Sequence, residues 1–149
     1  MLKGIPALIS PLLLQVLRAM GHGDDIAVVD ANFPADAMAQ RLVRLDGHPA
    51  PLVVESILQL LPIDDFRPDP LRCMAVVDTP KVKPDVILEF EQIACRIEGR
   101  ALSACALERE KFYEQARQAY AVVATGETRL YGNLLITKGV IRQQQASPC

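Results

Sequence analysis

The sequence predicts a single three-layer α/β/α domain with a largely parallel central sheet. Helix-spaced apolar segments alternate with short β-branched runs along the chain, the order that lays a parallel sheet between helices. The runs Ile26–Val29 and Cys73–Val77 are apolar without a break and read as buried strands, and Tyr120–Thr125 is a further β-branched run. At 149 residues, half of them hydrophobic, the chain suffices for one domain with a sizeable core. That domain is expected over residues 1–141, with 142–149 as a polar, Gln-rich, mobile tail.

Taken in order, Ser10 reads as an N-cap and Pro11 as the first residue of a helix. Leu13, Val16, Leu17 and Met20 fall at helical spacing, and Gly21 supplies a stop. After the first strand, Pro34 turns the chain into a short helix over Ala35–Gln40, followed by Leu42-Val43 and an Asp46-Gly47 turn. His48 lies in that Gly/Pro-rich loop with no partner in view. Pro51 opens a helix whose core face is Val54, Ile57, Leu58 and Leu61, ending at Pro62. The second strand, Cys73–Val77, closes at Asp78 and Pro80. A long amphipathic helix runs from Pro84 to about Ile97, and Gly99 stops it. Leu102–Leu107 reads as a third strand, and Glu114–Ala119 as a helix entered from Leu107–Tyr113. Tyr120–Thr125 is the next strand, and Leu134–Ile136 the last.

Several function classes are excluded by what is missing. The net charge is only −2, and no basic stripe interleaved with aromatics offers a surface to nucleic acid. No apolar run approaches the roughly 18 residues of a membrane span. Pro6, Pro11 and Arg18 break any signal-peptide core. The four cysteines, at 73, 95, 105 and 149, form no Cys-x-x-Cys pair. Cys73, Cys95 and Cys105 read as reduced, mostly buried small hydrophobes, so the expected compartment is the cytoplasm. There is no Gly-x-Ser-x-Gly, P-loop or dinucleotide fingerprint, so no cofactor is expected.

The stretch with chemistry in it is Gly21-His22-Gly23-Asp24, the strand behind it, and Asp30-Ala31-Asn32-Phe33-Pro34. Gly21 and Gly23 free the backbone to bring His22 up to a ligand. Asp30 stands at the carboxyl end of the strand, where open α/β sheets place their ligands. A proton donor and a hydrogen-bonding carboxylate are therefore expected to face one crevice. The ordinary alternative is a loop histidine and an aspartate that only caps or turns. His22, Asp24 and Asp30 together make a weak metal set, and no metal is expected.

Two further pairs stand downstream. Arg109 and Tyr113 are four apart, hence on one helix face, and a guanidinium with a phenol suits a polyhydroxylated ligand. Tyr131 and Asn133 flank Gly132, and an extended backbone would point both to one side. A solvated helix face and an Asn/Gly turn are the plain readings of these pairs.

Gly21-His22-Gly23-Asp24, Asp30-Ala31-Asn32-Phe33-Pro34 and Tyr131-Gly132-Asn133 resemble the sugar-anomer isomerases that comprise L-fucose mutarotase and D-ribose pyranase, and fit the fucose branch. The resemblance runs from about Leu2 to about Ile141. It implies exchange of α and β sugar anomers by acid-base ring opening, with His22 as general acid. Asp30, Arg109, Tyr113, Tyr131 and Asn133 would hold the monosaccharide, and Asp64 stands where relatives carry an aspartate of the sugar site. The resemblance further implies a ring-like homo-oligomer, up to a decamer, in which a neighbouring subunit completes each site. At the three motifs the ribose branch carries Gly-His-Thr-Asp, Asp-Ala-Gly-Leu-Pro and Tyr-Ala-Asn. Phe33 would then wall a sugar methyl, and Gly132 would leave room for a six-carbon substrate. Ribose pyranase activity and a sugar-binding module without chemistry are the alternatives.

Overall fold

Helix α1 (Pro11–Ala19) begins where Ser10 Oγ accepts the Leu13 N–H at 3.1 Å, and it buries Leu13, Val16 and Leu17. No glycine ends it. Met20 is extended, and the ammonium of Lys138 caps the last turn by donating to the Leu17 and Met20 carbonyls. The chain then turns through Gly21–Asp24 into β1 (Asp25–Val29). There follow α2 (Ala35–Met38), β2 (Leu42–Leu45), α3 (Ala50–Leu58), β3 (Leu71–Met74), α4 (Asp85–Glu98), β4 (Cys105–Leu107), α5 (Arg109–Gln118), β5 (Ala121–Thr125) and β6 (Leu134–Thr137). The computed structural model describes residues 1–142; the expectation for the tail falls, Arg142 apart, outside the described residues.

The six strands lie in the order β2-β5-β1-β6-β3-β4. The β2–β5, β5–β1 and β3–β4 pairs are parallel, while β6 runs antiparallel to β1 on one side and to β3 on the other. The sheet is thus largely parallel, with one reversed strand through its middle. Alternate residues face opposite layers. Ile26, Val28, Val123, Leu134 and Ile136 pack in one core with residues of α1, α3 and α4. Ala27, Val29, Val122, Ala124 and Leu135 pack in the other with Phe112 and Ala116 of α5 and Ala35 of α2.

Several segments depart from the expected reading. The second strand is Leu71–Met74 rather than Cys73–Val77, because Leu71 and Arg72 pair with Ile136 and Leu135 of β6. Beyond Met74 the chain turns away, with Asp78 at φ 68°. Leu42–Leu45 forms an edge strand where the sequence alone assigns no element, and Leu102–Leu107 contracts to β4. Tyr131–Asn133 is a turn, not an extended lead-in: Tyr131 has φ 63°, and the Asn133 N–H returns to the Tyr131 carbonyl at 2.7 Å.

Arg72 hid the start of β3, since a buried arginine interrupts an apolar run. Its side chain is fully buried and donates from Nη2 to Asp25 Oδ1 at 2.6 Å and from Nη1 to Thr137 Oγ1 at 3.1 Å. Thr137 Oγ1 in turn donates to Asp25 Oδ1 at 2.6 Å. Charge and hydroxyl thus tie β3, β1 and β6 together at one end of the sheet. The Arg72 Nε is buried without a partner among the described residues. Removing Asp25 would leave a buried guanidinium uncompensated, a change that typically costs about 3–5 kcal/mol. Asp25→Ala is therefore expected to lower the urea-unfolding free energy by an amount in that range. A loss below about 1 kcal/mol would show the pair to be dispensable, as surface ion pairs commonly are.

Candidate active site

His22 occupies the second position of a four-residue turn. The Asp24 N–H reaches the Gly21 carbonyl at 3.2 Å, and Asp24 Oδ2 accepts the Gly21 N–H at 2.7 Å. Gly23 has φ 86°, the left-handed conformation that such a turn demands of its third residue. Only this glycine is conformationally required, since Gly21 lacks a positive φ and a Cβ there would meet Asp24 at an ordinary 3.7 Å. The turn is held from outside by the Gly23 N–H on the Lys138 carbonyl, 2.8 Å, and the Lys138 N–H on the Asp24 carbonyl, 2.9 Å.

Asp64 lies beneath the His22 ring, with Oδ1 2.9 Å from Nε2. The imidazole is 44% exposed and the carboxylate 4% exposed, so the pair has a solvent face and a buried root. Burial alone would push the Asp64 carboxyl up. Hydrogen bonds from His22 and from the Arg67 and Phe66 N–H groups outweigh burial and hold it below the usual carboxylate range. An ionised Asp64 only accepts, so it selects the tautomer with hydrogen on Nε2 and leaves Nδ1 free. Phe66 packs against the ring at a centroid distance of 5.1 Å.

Asp30 is at the other end of β1. Its Oδ2 accepts from Asn133 Nδ2 at 2.9 Å, while the Asp30 N–H donates to Asn133 Oδ1 at 3.0 Å. Asn32 N–H holds Oδ1 at 2.9 Å. Burial raises the Asp30 carboxyl above its ordinary value, and these bonds counter it only in part. Around Asp30 and Asn133 opens a cleft of about 190 Å³, lined also by Phe33, Arg109, Tyr113 and Tyr131. Arg109 and Tyr113 reach it from one face of α5, as their spacing implies. Phe33 meets Tyr113 edge-on at 5.5 Å. Tyr131, in its left-handed conformation, accepts the Val77 N–H on its hydroxyl at 3.3 Å, which leaves the phenolic hydrogen for a ligand.

The expected residues therefore fall into two groups. Asp30, Arg109, Tyr113, Tyr131 and Asn133 converge on the cleft, whereas His22 and Asp64 do not. The five residues of β1 alone span roughly 16 Å at about 3.3 Å each, so one chain cannot place His22 and Asp30 in one crevice. The same separation prevents His22, Asp24 and Asp30 from converging on a metal. Among the described residues no cluster of three His, Cys, Asp or Glu side chains could hold one. His48 is half-buried, and its backbone carbonyl holds the Gly126 N–H at 2.8 Å.

The space expected at Gly132 is not sugar space. A Cβ there would lie 2.8 Å from Glu127 Cγ and 3.5 Å from Asp30 Cβ, so the glycine admits Glu127 behind Asp30. Glu127 was overlooked, although an acid two residues before Arg129 was a visible signal. Phe66 and Met74 had no comparable signal, since nothing local links either to the residues it packs beside.

Glu127 is buried, and its carboxylate binds Arg129 through Nε at 2.9 Å and Nη2 at 2.9 Å. Arg129 holds the Glu127 carboxyl below its ordinary value of 4.5, against burial, which pushes it up. A depressed folded value stabilises the fold above the unfolded carboxylate's pKa, and that contribution is lost as pH falls through the folded value. Thermal unfolding of the wild type should thus lose stability between about pH 5 and pH 3, and Glu127→Gln should lose less over that window. Equal acid slopes for the two proteins would remove Glu127 from the account.

The sequence model of the RbsD / FucU transport protein family matches residues 3–141. Fucose mutarotase of Homo sapiens is 45% identical over 146 residues, covering 94% of each chain. The crystal structure of fucose mutarotase from Streptococcus pneumoniae in complex with L-fucose superposes with a TM-score of 0.85 at 42% identity, covering 95% of this chain and all of that one. RbsD of Bacillus subtilis complexed with D-ribose shares the fold, with a TM-score of 0.67 at 19% identity, covering 95% of this chain and all of that one.

Proposed function

This chain belongs to the RbsD / FucU transport protein family, and on that premise we propose that it is an isomerase exchanging the α and β anomers of L-fucose. The observation that carries the reading is the Asp30–Asn133 pair at the floor of a cleft shared with Arg109, Tyr113 and Tyr131. A pyranose offers that cleft several hydroxyls for charged and neutral donors and one apolar patch for Phe33.

Exchange requires the C1–O5 bond of the ring to break and reform. As it breaks, O5 takes a proton from the acid while the anomeric hydroxyl passes its own to solvent water; the open-chain aldehyde rotates about C1–C2, and the reverse transfers close the other anomer. His22 serves as the acid. With its Nε2–H committed to Asp64, His22 acts as the imidazolium: Nδ1–H gives its proton to O5, and the neutral Nδ1 retakes it on ring closure. Asp30 and Asn133 orient sugar hydroxyls, Arg109 and Tyr113 hold the opposite edge, and Tyr131 donates its phenolic hydrogen. Asp64 is reassigned from sugar contact to positioning His22, a role its burial supports.

Because His22 lies at the far end of β1 from the cleft, the proposal requires a second copy to bring its His22 to this chain's sugar. Such an interface joins unlike ends, and its repetition gives a ring where the rotation between copies closes. Exposed Phe66 against the histidine and exposed Leu130 at the cleft supply apolar surface for the contact. A homo-oligomer, up to the decamer that the resemblance implies, is the assembly proposed. The proposed compartment is the cytoplasm, supported by the free thiols of Cys73, Cys95 and Cys105. No helix among the described residues is long and apolar enough to cross a membrane.

Saturation-transfer NMR on the anomeric protons of L-fucose tests the activity directly. His22→Ala should abolish catalysed exchange and keep sugar binding; binding without exchange in the wild type would leave only a sugar-binding module. The composite site has its own test. Asn133→Ala should be inactive as well, yet hybrids assembled from unfolded and refolded mixtures of the two variants should recover a fraction of the activity. Absence of recovery in hybrids shown to co-assemble would restrict the site to a single chain.

Substrate preference follows from Phe33, which is buried against Phe112 and Tyr113 and faces the cleft. A methyl contact contributes about 1–3 kcal/mol, so L-fucose should be exchanged more efficiently than D-ribose, with some ribose conversion remaining. Phe33→Ala should narrow the gap when both sugars are assayed side by side. A wild type faster on ribose would favour the pyranase reading.

A further inference from the structure

Where β6 leaves the sheet, three consecutive residues hold both halves of the histidine–aspartate pair. The Thr137 carbonyl accepts the Asp64 N–H at 3.0 Å, and Ile63 bridges Lys138 antiparallel. Lys138 holds the His22 turn through its own N–H and carbonyl, and its ammonium fastens the end of α1 that leads into that turn. The Gly139 N–H donates to the Pro62 carbonyl at 2.8 Å. A Cβ on Gly139 would stand 2.7 Å from the Ile63 carbonyl oxygen and 2.8 Å from Asp64 Cα. Both are backbone atoms and cannot swing aside. Gly139 has no positive φ, so glycine is required there for space and not for conformation.

We propose that Gly139, together with Lys138, is a positioning element for His22: the missing side chain lets the Ile63-Asp64 backbone lie close enough to β6 for the Asp64 carboxylate to meet Nε2. The inference rests on His22 as the acid of the proposed reaction. Any side chain at 139 must push the Asp64 backbone outward by several tenths of an ångström, since non-bonded carbon contacts settle near about 3.5–4.0 Å. The His22 turn, tied separately to Lys138, would not follow. Displacements of about 1 Å at a reacting group can cost about 10²-fold in rate.

The experiment compares Gly139→Ala, Asp64→Asn and the double variant in the full chain, reading kcat and KM for L-fucose exchange and the His22 ring nitrogens by 15N NMR. In the wild type the spectrum should report hydrogen on Nε2. Gly139→Ala should mix the tautomers and lower kcat by roughly 10- to 100-fold with KM changed less than about twofold. The double variant should be no worse than Asp64→Asn, because both act through one contact. An unchanged tautomer and kcat in folded Gly139→Ala, or losses that multiply in the double variant, would overturn the inference. Should Gly139→Ala fail to fold by circular dichroism, Lys138→Met decides by the same readouts, with loss of the single tautomer expected and its retention at full kcat counting against. Activity surviving in His22→Ala would overturn the assignment of the acid instead, while the tautomer readout would still decide the geometry.

Discussion

The antiparallel pairing of β6 between β1 and β3 is the constraint on which this molecule depends. Without it the sheet would be two parallel pieces, β2-β5-β1 and β3-β4, with no shared hydrogen bonds. Asn133, the residue before β6, locks Asp30 in two directions through its amide. The other end leaves through Thr137, which carries the side-chain link to Asp25 and Arg72 and the backbone link to Asp64. A single four-residue strand therefore sets the geometry of both chemical ends of the chain.

Each end sets a buried carboxylate behind a working group, Asp64 behind His22 and Glu127 behind Asp30, and each does so with fixed partners. Beneath His22 the ionised Asp64 accepts from the ring and from backbone N–H groups, so the tautomer is set before any ligand arrives. Behind Asp30 the Glu127–Arg129 pair fills the space left by Gly132 and stiffens the turn that presents Tyr131 and Asn133. The left-handed Tyr131 is part of that turn, and a non-glycine residue in that region persists when its surroundings over-determine it. Such preorganisation is what acid-base exchange on a neutral sugar needs, since there is little charge for the protein to stabilise and much orientation to supply.

The placement of acid and cleft at opposite ends of one strand makes the isolated chain chemically incomplete under the proposed mechanism. Apolar surface lies beside both ends, at Phe66 and at Leu130. An interface between unlike ends would bury both while bringing the two half-sites together. Assembly and catalysis would then share one cause.

The sequence by itself determined the fold class and most helix limits, and its resemblance to the family is what pointed to Asp30, Arg109, Tyr113, Tyr131 and Asn133. Apolar periodicity and β-branched runs are local signals, and Arg109 and Tyr113 share a helix face by spacing alone. Three matters were decided only by tertiary structure. β3 starts at Leu71 because Arg72 finds Asp25 and Thr137 on other strands, which no local pattern reports. Gly132 and Gly139 are glycines because distant backbone or side-chain atoms occupy the places their Cβ atoms would take. And His22 faces away from Asp30 because an extended strand separates its two ends by its full length, so eight positions in sequence become opposite ends in space.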